Sequence, residues 1–408
     1  MTINWPVKAL GDVCHVIGGG TPPKDKDHYF RGTIPWATVR DMRKDIIAET
    51  EFQITEEAVG ASSTNIIPAH NVVIATRVGL GKVCFVERDT AINQDLRGII
   101  PMRKNEISVH YLFWWLKSIA HLIVQEGTGA TVQGVKLPFI KSLEIPLPPL
   151  PEQKRIVAIL DEAFAGIAAA TANAEKNLAN ARELFEGYLE TIFADEEEGW
   201  TTKRLQDICE KITDGTHQTP TYFDNGIVFL SSRNVTSGKI NWDNIKYIDQ
   251  KQHLEMHKRL APRMGDILLA KNGTTGVAAM VDRDIVFDIY VSLALLRPLK
   301  TIRPDLLLYF VNSPVAKRQF NKRLKGTGVP NLHLEEIREV LISFPISEAA
   351  QLALVAKLND VSTNFRELEY NYQKKLLMLA ELKQSILQKA FSGDLTTLPE
   401  AALQEEAA

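Results

Sequence analysis

The chain contains its own repeat, and no other feature of the sequence restricts its fold so strongly. Trp5-Pro-Val-Lys-Ala-Leu10-Gly-Asp12-Val-Cys14 returns as Trp200-Thr-Thr-Lys-Arg-Leu205-Gln-Asp207-Ile-Cys209, at an offset of 195 residues. The same offset carries Gly20-Thr21 onto Gly215-Thr216, Ala75 onto Ala270 and Gly81 onto Gly276. Further along, Gly127-Thr-Gly129 matches Gly326-Thr-Gly328, and Ile140, Ile145 and Pro148 match Ile337, Ile342 and Pro345 at an offset of 197. An ordered series whose spacing drifts by so little marks two copies of one unit, far too long for a solenoid repeat. Each copy is expected to be a domain with an attachment, and the pair to have pseudo-two-fold symmetry, one chain imitating a homodimer. With 408 residues, 45% of them hydrophobic, there is material for two cores and a helical connector.

Within each copy the order is the same. Short β-like runs come first, Val72-Val-Ile-Ala75, Val83-Cys-Phe-Val86, Ile227-Val-Phe-Leu230 and Ile267-Leu-Leu-Ala270, divided by turn signals such as Gly18-Gly-Gly20, Asn225-Gly226 and Asn272-Gly273. A helix is expected at His110 to Ile123, mirrored at Asp305 to Leu324, so each globule reads as mixed α+β. In the first copy a proline-rich connector, Ile145-Pro-Leu-Pro-Pro-Leu-Pro151, then precedes a helix start, weakly echoed by Phe344-Pro345.

A proline-free helix is expected from about Glu152 to Phe193. Its Leu160, Phe164, Ile167, Thr171, Ala174, Leu178, Ala181, Phe185, Tyr188 and Ile192 are spaced alternately by four and three, the seam of a coiled coil. The second copy offers Leu358, Val361, Phe365, Leu368, Tyr372, Leu379, Leu382 and Ile386, with Lys375 interrupting beside Leu376 and the phase displaced by one residue. Such helices, roughly 60 Å long at about 1.5 Å per residue, are expected to pair antiparallel as a rod with one globule at each end. The expected fold class is therefore α+β: two mixed α/β domains separated by two long helices forming an antiparallel coiled coil. The expected divisions are a first domain over 1–150, a helix over 151–196, a second domain over 197–348, a helix over 349–395 and a disordered tail over 396–408.

At this point a resemblance enters. Globule, junction Ile145-Pro-Leu-Pro-Pro-Leu-Pro-Glu-Gln153-Lys-Arg-Ile156, long helix, and the whole again, ending in Leu382-Lys-Gln-Ser-Ile-Leu-Gln-Lys-Ala-Phe391-Ser-Gly-Asp-Leu395, resemble the specificity subunits of type I restriction-modification systems. The second junction, Ile346-Ser-Glu-Ala-Ala-Gln351, departs from the pattern in lacking Pro-Pro and Glu-Gln-Lys. The resemblance implies two target recognition domains, each reading half of a bipartite, asymmetric site in double-stranded DNA. It implies helices that set the half-site spacing and dock two methyltransferase subunits, with restriction and motor subunits completing the complex. Half-sites read from one face of the duplex lie about one turn, roughly 10 base pairs, apart. The chain itself is expected to be non-catalytic and to bind no cofactor, leaving S-adenosylmethionine, ATP and Mg to its partners.

Catalytic motifs agree with that expectation. The chain has no Asn/Asp-Pro-Pro-aromatic motif or cofactor loop for adenine methylation; Thr21-Pro-Pro-Lys24 and Leu147-Pro-Pro-Leu150 lack the required neighbours. Glu152-Gln-Lys154 and Glu381-Leu-Lys383 fit a nuclease triplet, but fall on long helices where surface charges are ordinary. Gly79-Leu-Gly-Lys82 lacks Walker spacing. His253 and His257 stand at i,i+4, yet Leu254 replaces the glutamate of a zinc protease and no third ligand is in view, so a polar helix face is the expectation and the metal count is none. Cys14, Cys84 and Cys209 form no CxxC pair and suggest a reducing compartment. Met1 to Leu10 does not read as a leader, and no uninterrupted apolar run reaches bilayer length. A cytoplasmic protein without a membrane partner is expected.

A formal net charge of -3 means that any DNA surface must arise by segregation of charge. Lys317 to Lys325 holds five basic residues in nine, Lys317, Arg318, Lys322, Arg323 and Lys325, suited to phosphate contact, while Asp195 to Glu198 is wholly acidic. For base edges the candidates are donors near turns: Thr38, Arg40 and Arg43 against Ser231, Ser232, Arg233 and Asn234, and Arg77 with Lys82 against Lys271 with Asn272. A solvated surface or a strand-end ion pair accounts for any one of them as well. Two rival readings stand beside the first: a non-DNA scaffold whose two globular heads bind proteins, and a fused single-chain restriction enzyme.

Overall fold

A computed structural model of the chain describes residues 5–128, 134–194, 198–235, 238–272, 275–323 and 331–396. It forms two compact units, one of residues 1–174 with 375–408 and the other of residues 175–374.

In the first unit, strand Val7–Ala9 pairs antiparallel with Glu144–Pro146, stitching the start of the domain to its end. Between them lies a five-stranded sheet in the order Cys14–Gly18, Leu96–Pro101, Val72–Ala75, Val83–Val86, Ile46–Ile47. A second sheet orders Phe52–Ile54, Ile34–Ala37, Thr90–Ile92, Asn65–Ile67. Val72 to Ala75 are all buried, as an apolar run in a central strand should be. Helix Val109–Ser118 covers one face, burying Tyr111 to Leu116 against Val72, Ile74, Val83 and Ile99.

The second unit repeats the plan. Trp200–Arg204 pairs antiparallel with Leu341–Pro345. The larger sheet orders Cys209–Asp214, Leu293–Pro298, Ile267–Ala270, Ala278–Met280, and a three-stranded sheet orders Lys246–Ile248, Ile227–Leu230, Phe287–Ile289. Register repeats as well: Leu96 faces Ala75 in the first unit, and Leu293 faces Ala270 in the second.

Repetition at single residues has physical causes. Leu10 and Leu205 are fully buried, and their amides donate to Leu143 O at 2.8 Å and Val340 O at 2.9 Å. A Cβ on Gly20 would lie 2.5 Å from the Ser63 carbonyl carbon, and one on Gly215 would lie 2.0 Å from Ile289 O, so the chain passes too close for any side chain. Gly81 and Gly276 hold φ of 82° and 87°, left-handed turns that favour glycine.

Two expectations, the cover helices and the second seam, need correction, and two further points belong beside them. Each expected cover helix is two helices, Val109–Ser118 with Ala120–Gln125 and Pro304–Asn312 with Pro314–Arg323. In the second the cause is Pro314, which cannot donate within a helix and leaves Ser313 extended at ψ 156°. The second junction, despite its different sequence, is built like the first. Gln153, fully buried, donates from Nε2 to Glu106 O and Pro148 O, both 2.9 Å, and accepts the Ser108 amide at 2.8 Å. Gln351, equally hidden, donates to Thr301 O and Pro345 O, both 2.9 Å, and accepts the Arg303 amide at 2.9 Å. The seam of the second long helix, Glu348–Ser392, is displaced from the expected one, since Leu368 and Leu382 are each 47% exposed. Buried or half-buried positions instead run Val355, Leu358, Ser362, Phe365, Glu369, Tyr372, Leu376, Leu379, a strict three-four alternation that admits a serine and a glutamate. Finally, the first long helix, Leu150–Ala194, is long and apolar enough to cross a bilayer by length and composition alone. Asp161 with Glu162 interrupts that stretch, so no uninterrupted apolar run in it reaches bilayer length.

Segments of the two long helices pair in opposite directions within each unit. In the first unit Leu160 and Phe164 pack in one core with Ile386, Leu387 and Ala390, and Lys383 lies 5.0 Å over the Phe164 ring. In the second, Phe185 stacks on Phe365 with centroids 4.8 Å apart, and Arg182 Nε donates to Glu369 Oε1 at 3.0 Å. Ile167 and Leu178 are half-buried, as is Ile192, which packs on the core that holds Leu358.

Candidate nucleic-acid interface

In each domain the strand after the first glycine turn ends in a short 3₁₀ helix, Val39–Asp41 or Ser232–Asn234. Both are closed by the same device. Thr38 N–H donates to Asp41 Oδ2 at 2.7 Å, and Ser231 N–H to Asn234 Oδ1 at 2.9 Å, each completing a capping box. The box fixes a tight turn on a rigid strand and presents the second of the two enclosed residues, Arg40 or Arg233, outward.

Around the first turn the surface forms a cleft of about 860 Å³ that includes Thr38, Arg40, Arg31, Trp36, Asn93 and Gln94. Trp36 donates its indole N–H to Gly20 O at 3.1 Å, which fixes the ring, while Phe30 and Phe52 meet it edge-on at 5.9 and 6.3 Å. Thr21 hydrogen-bonds Gln94 across the rim. An apolar floor with amide and guanidinium groups above it has the chemistry that reads base edges: Arg for guanine, Asn or Gln for adenine, apolar contact for a thymine methyl. Arg40 is lightly held, 3.4 Å from Glu51.

Beside the cleft, Arg77 stands 3.6 Å from Asp95, and Arg97 donates to Leu96 O at 2.9 Å. Burial, and secondarily the Arg77 charge, push Arg97 below the ordinary guanidinium range, with Asp95 opposing. Two guanidiniums about one carboxylate leave a positive excess that favours an anion such as phosphate. Arg43 lies over an adjoining depression, donating from Nε to Arg40 O at 3.0 Å. Lys82 is exposed at the Gly79–Gly81 turn.

The second domain places its sequence candidates differently. Asn234 is buried, its amide donating to Asn241 O at 3.3 Å and Asn244 O at 3.0 Å, so it is a cap rather than a free reader. Lys271 is also buried, its Nζ 2.6 Å from Asp214 Oδ2. Asp214 also meets His217 at 3.3 Å, and Arg259 donates to Asp214 O at 2.7 Å. Ser231 and exposed Arg233 stay at the surface turn, and half-buried Asn272 bridges to Asn331. Lys317 and Arg318 face the last turns of the first long helix, 3.7 Å from Glu186 and 2.8 Å from Glu190, which ties their helix down rather than freeing two cations. Lys322 is exposed. The side chain of Arg323, and Lys325, Gly129, Gly326, Gly328, Gly273, Asp195 to Glu197 and the expected tail beyond Thr396, lie outside the described residues.

Sequence reading missed Arg31, Asn93, Gln94 and Arg97. Their signal is topological: Asn93 follows the strand that pairs with Trp36, a neighbourhood visible only once Ile34–Ala37 and Thr90–Ile92 are seen to run parallel.

A family model described as type I restriction modification DNA specificity domain matches residues 2–178 and again 197–378. The chain is 26% identical to the type I restriction enzyme MjaIX specificity subunit of Methanocaldococcus jannaschii, across 96% of this chain and 94% of that protein. It is 36% identical over 167 residues to the EcoR124I/EcoR124II specificity subunit of Escherichia coli, 39% of this chain and 40% of that one. Among solved structures it superposes at a TM-score of 0.77 and 22% identity on a chain of a type I R-M complex, covering 96% of this chain and 98% of that one. On the HsdS subunit from Thermoanaerobacter tengcongensis the TM-score is 0.56 at 21% identity, covering 96% and 97%.

Proposed function

The chain belongs to the type I restriction-modification DNA specificity family, with one family domain in each half, and from that premise we propose how it reads DNA and what it recruits. Each domain reads one half of a bipartite, non-palindromic site in double-stranded DNA. The first uses Thr38 and Arg40 with Arg31, Asn93 and Gln94 over the Trp36 floor, supported by Arg43, Arg77, Lys82 and Arg97 at the backbone. The second uses Ser231 and Arg233 at the matching turn, together with Asn272 and Lys322.

The observation that carries this reading is the repeated capping box: one backbone device, present twice, offering Arg40 in one half and Arg233 in the other. The same turn with different neighbours reads different bases, which is why the site is asymmetric. The chain is a subunit without catalysis of its own. Two methyltransferase subunits dock on the helical segments, restriction and motor subunits join them, and those partners supply S-adenosylmethionine, ATP and Mg. The complex works in the cytoplasm, where its DNA lies.

The test is a methylation map of a host genome with and without this gene, in a strain whose modification subunit is intact. One bipartite adenine-methylated motif disappears on deletion; an unchanged map overturns the proposal.

A further inference from the structure

Outside the reading surface, the second domain holds a cluster that the sequence leaves one ligand short. Helix Gln250–Arg259 starts at Asp249, whose carboxylate accepts the Gln252 amide at 2.8 Å, and carries His253 and His257 one turn apart on one face. The strand Phe287–Ile289 brings Asp288 to that face. His253 Nδ1 lies 2.7 Å from Asp288 Oδ2 and His257 Nδ1 lies 3.3 Å from Oδ1, with the rings 4.6 Å apart. One ligand atom from each of the three residues falls within 4.8 Å of the others.

Charge makes the cluster unusual. Asp288 is only 2% exposed, and its ion-pair partners among the described residues are these two imidazoles. With both rings neutral, a buried carboxylate keeps its negative charge uncompensated, which is expensive in an apolar interior. A dication held by the same three groups removes that cost and uses each imidazole as a neutral donor.

We infer that His253, His257 and Asp288 form a binding site for one divalent metal ion of the zinc class, which fastens helix Gln250–Arg259 to the sheet of the second domain. Two imidazoles and a carboxylate suit Zn²⁺ better than Mg²⁺, which prefers oxygen. Ligands on bonds of about 2.0–2.2 Å in a tetrahedron stand roughly 3.3 Å apart. With Oδ1 as the carboxylate ligand, the His257 contact already has that spacing at 3.3 Å, and all three ligand atoms lie within 4.8 Å of one another, so His253 closes on the ion by a small side-chain adjustment. The remaining coordination position is water's: a cavity of about 140 Å³, lined by polar groups including Thr216, Gln218 and Glu255, reaches Asp288. His257 is 30% exposed along its side chain, which gives the ion an entry.

Among the described residues the first domain has no such set. By strand register Ala91 faces Trp36 where Asp288 faces Phe229, and the helix in that connection, Glu56–Gly60, buries Ala58. Metal dependence therefore belongs to one half of the molecule.

The experiment uses the untagged full chain, stripped with a chelator and titrated with ZnCl₂ by calorimetry, alongside thermal unfolding. One equivalent of Zn²⁺ is taken up, the unfolding temperature rises, and MgCl₂ does neither. His257→Gln, at a partly exposed position, unfolds in chelator at the parent temperature but binds about a hundredfold or more weakly, since even outer-shell partners contribute about 10–100-fold. Asp288→Asn behaves alike in binding. The proposal is overturned if the parent chain takes up no single equivalent, as it would if one imidazole simply carries a proton, or if His257→Gln binds as the parent does.

Discussion

The two recognition domains share a frame and differ in what fills it. At the end of strand Val72–Ala75, the Thr76 amide donates to Asp95 O at 2.8 Å; at the end of Ile267–Ala270, the Lys271 amide donates to Ser292 O at 3.0 Å. The backbone bond is the same, yet the first domain follows it with a surface pair, Arg77 and Asp95, whereas the second sends Lys271 inward to Asp214. Likewise Ala91 and Asp288 share a register position, one in an apolar core and the other facing two histidines. The frame rests on main-chain hydrogen bonds and apolar burial, so polar side chains are free to diverge without refolding it.

That contrast can be broken by direct tests. Lys271→Met removes the one buried cation on Asp214, leaving His217 at 3.3 Å and Arg259 at 3.9 Å, and should cost the second unit up to about 3–5 kcal/mol, whereas Arg77→Met, whose guanidinium side chain is 45% exposed, costs the first under about 1 kcal/mol. Hydrogen exchange read peptide by peptide measures each unit alone, and equal losses would end the distinction. Gln153→Ala and Gln351→Ala should do the reverse and be matched, each about 2–3 kcal/mol, because both empty the same buried clamp and orphan the same kinds of backbone group. A difference beyond about 1 kcal/mol in chemical denaturation would show that the two junctions are not equivalent. For function, Arg31→Ala with Arg40→Ala should weaken binding by about 1–3 kcal/mol when the first half-site is correct, and by nearly nothing when that half is already scrambled. Competition with half-scrambled duplexes separates the cases. The smallest effect concerns the thiols: burial pushes Cys14, Cys84 and Cys209 up to about 12, with Glu106 adding to it at Cys14 and Asp45 at Cys84. Iodoacetamide at pH 8 should leave the folded chain unlabelled by mass spectrometry, and any one thiol that reacts identifies the unit that opens first.

Much of this frame is legible in the chain. Gly20 and Gly215 recur because a Cβ would strike a neighbouring stretch of backbone, Leu10 and Leu205 because both are sealed, and the first helix's seam because its apolar residues follow one phase. What escapes the eye depends on contacts distant in sequence. Gln351 lacks the proline-rich setting of Gln153, so its matching role emerges only when Thr301, Arg303 and Pro345 surround it. Ser362 and Glu369 occupy seam positions that an apolar count passes over, and Leu368 and Leu382 were attractive only for being leucine. Lys271 and Asn234 read as surface donors because nothing local announces Asp214 or the Asn241 carbonyl. His253 and His257 read as a polar face because Asp288 is remote in sequence and adjacent in space.

The division of the chain also sets a timetable for its synthesis. Residues 175–374 form one uninterrupted unit, whereas the other joins residues 1–174 to residues 375–408. A nascent chain leaving the ribosome can therefore finish its middle before its beginning. Leu160 and Phe164 meet Trp114 and its neighbours early but wait for Leu387 and Ala390, translated more than 200 residues later, and during that interval the part of their apolar face that those residues cover stands open to chaperones or to a neighbouring polysome product.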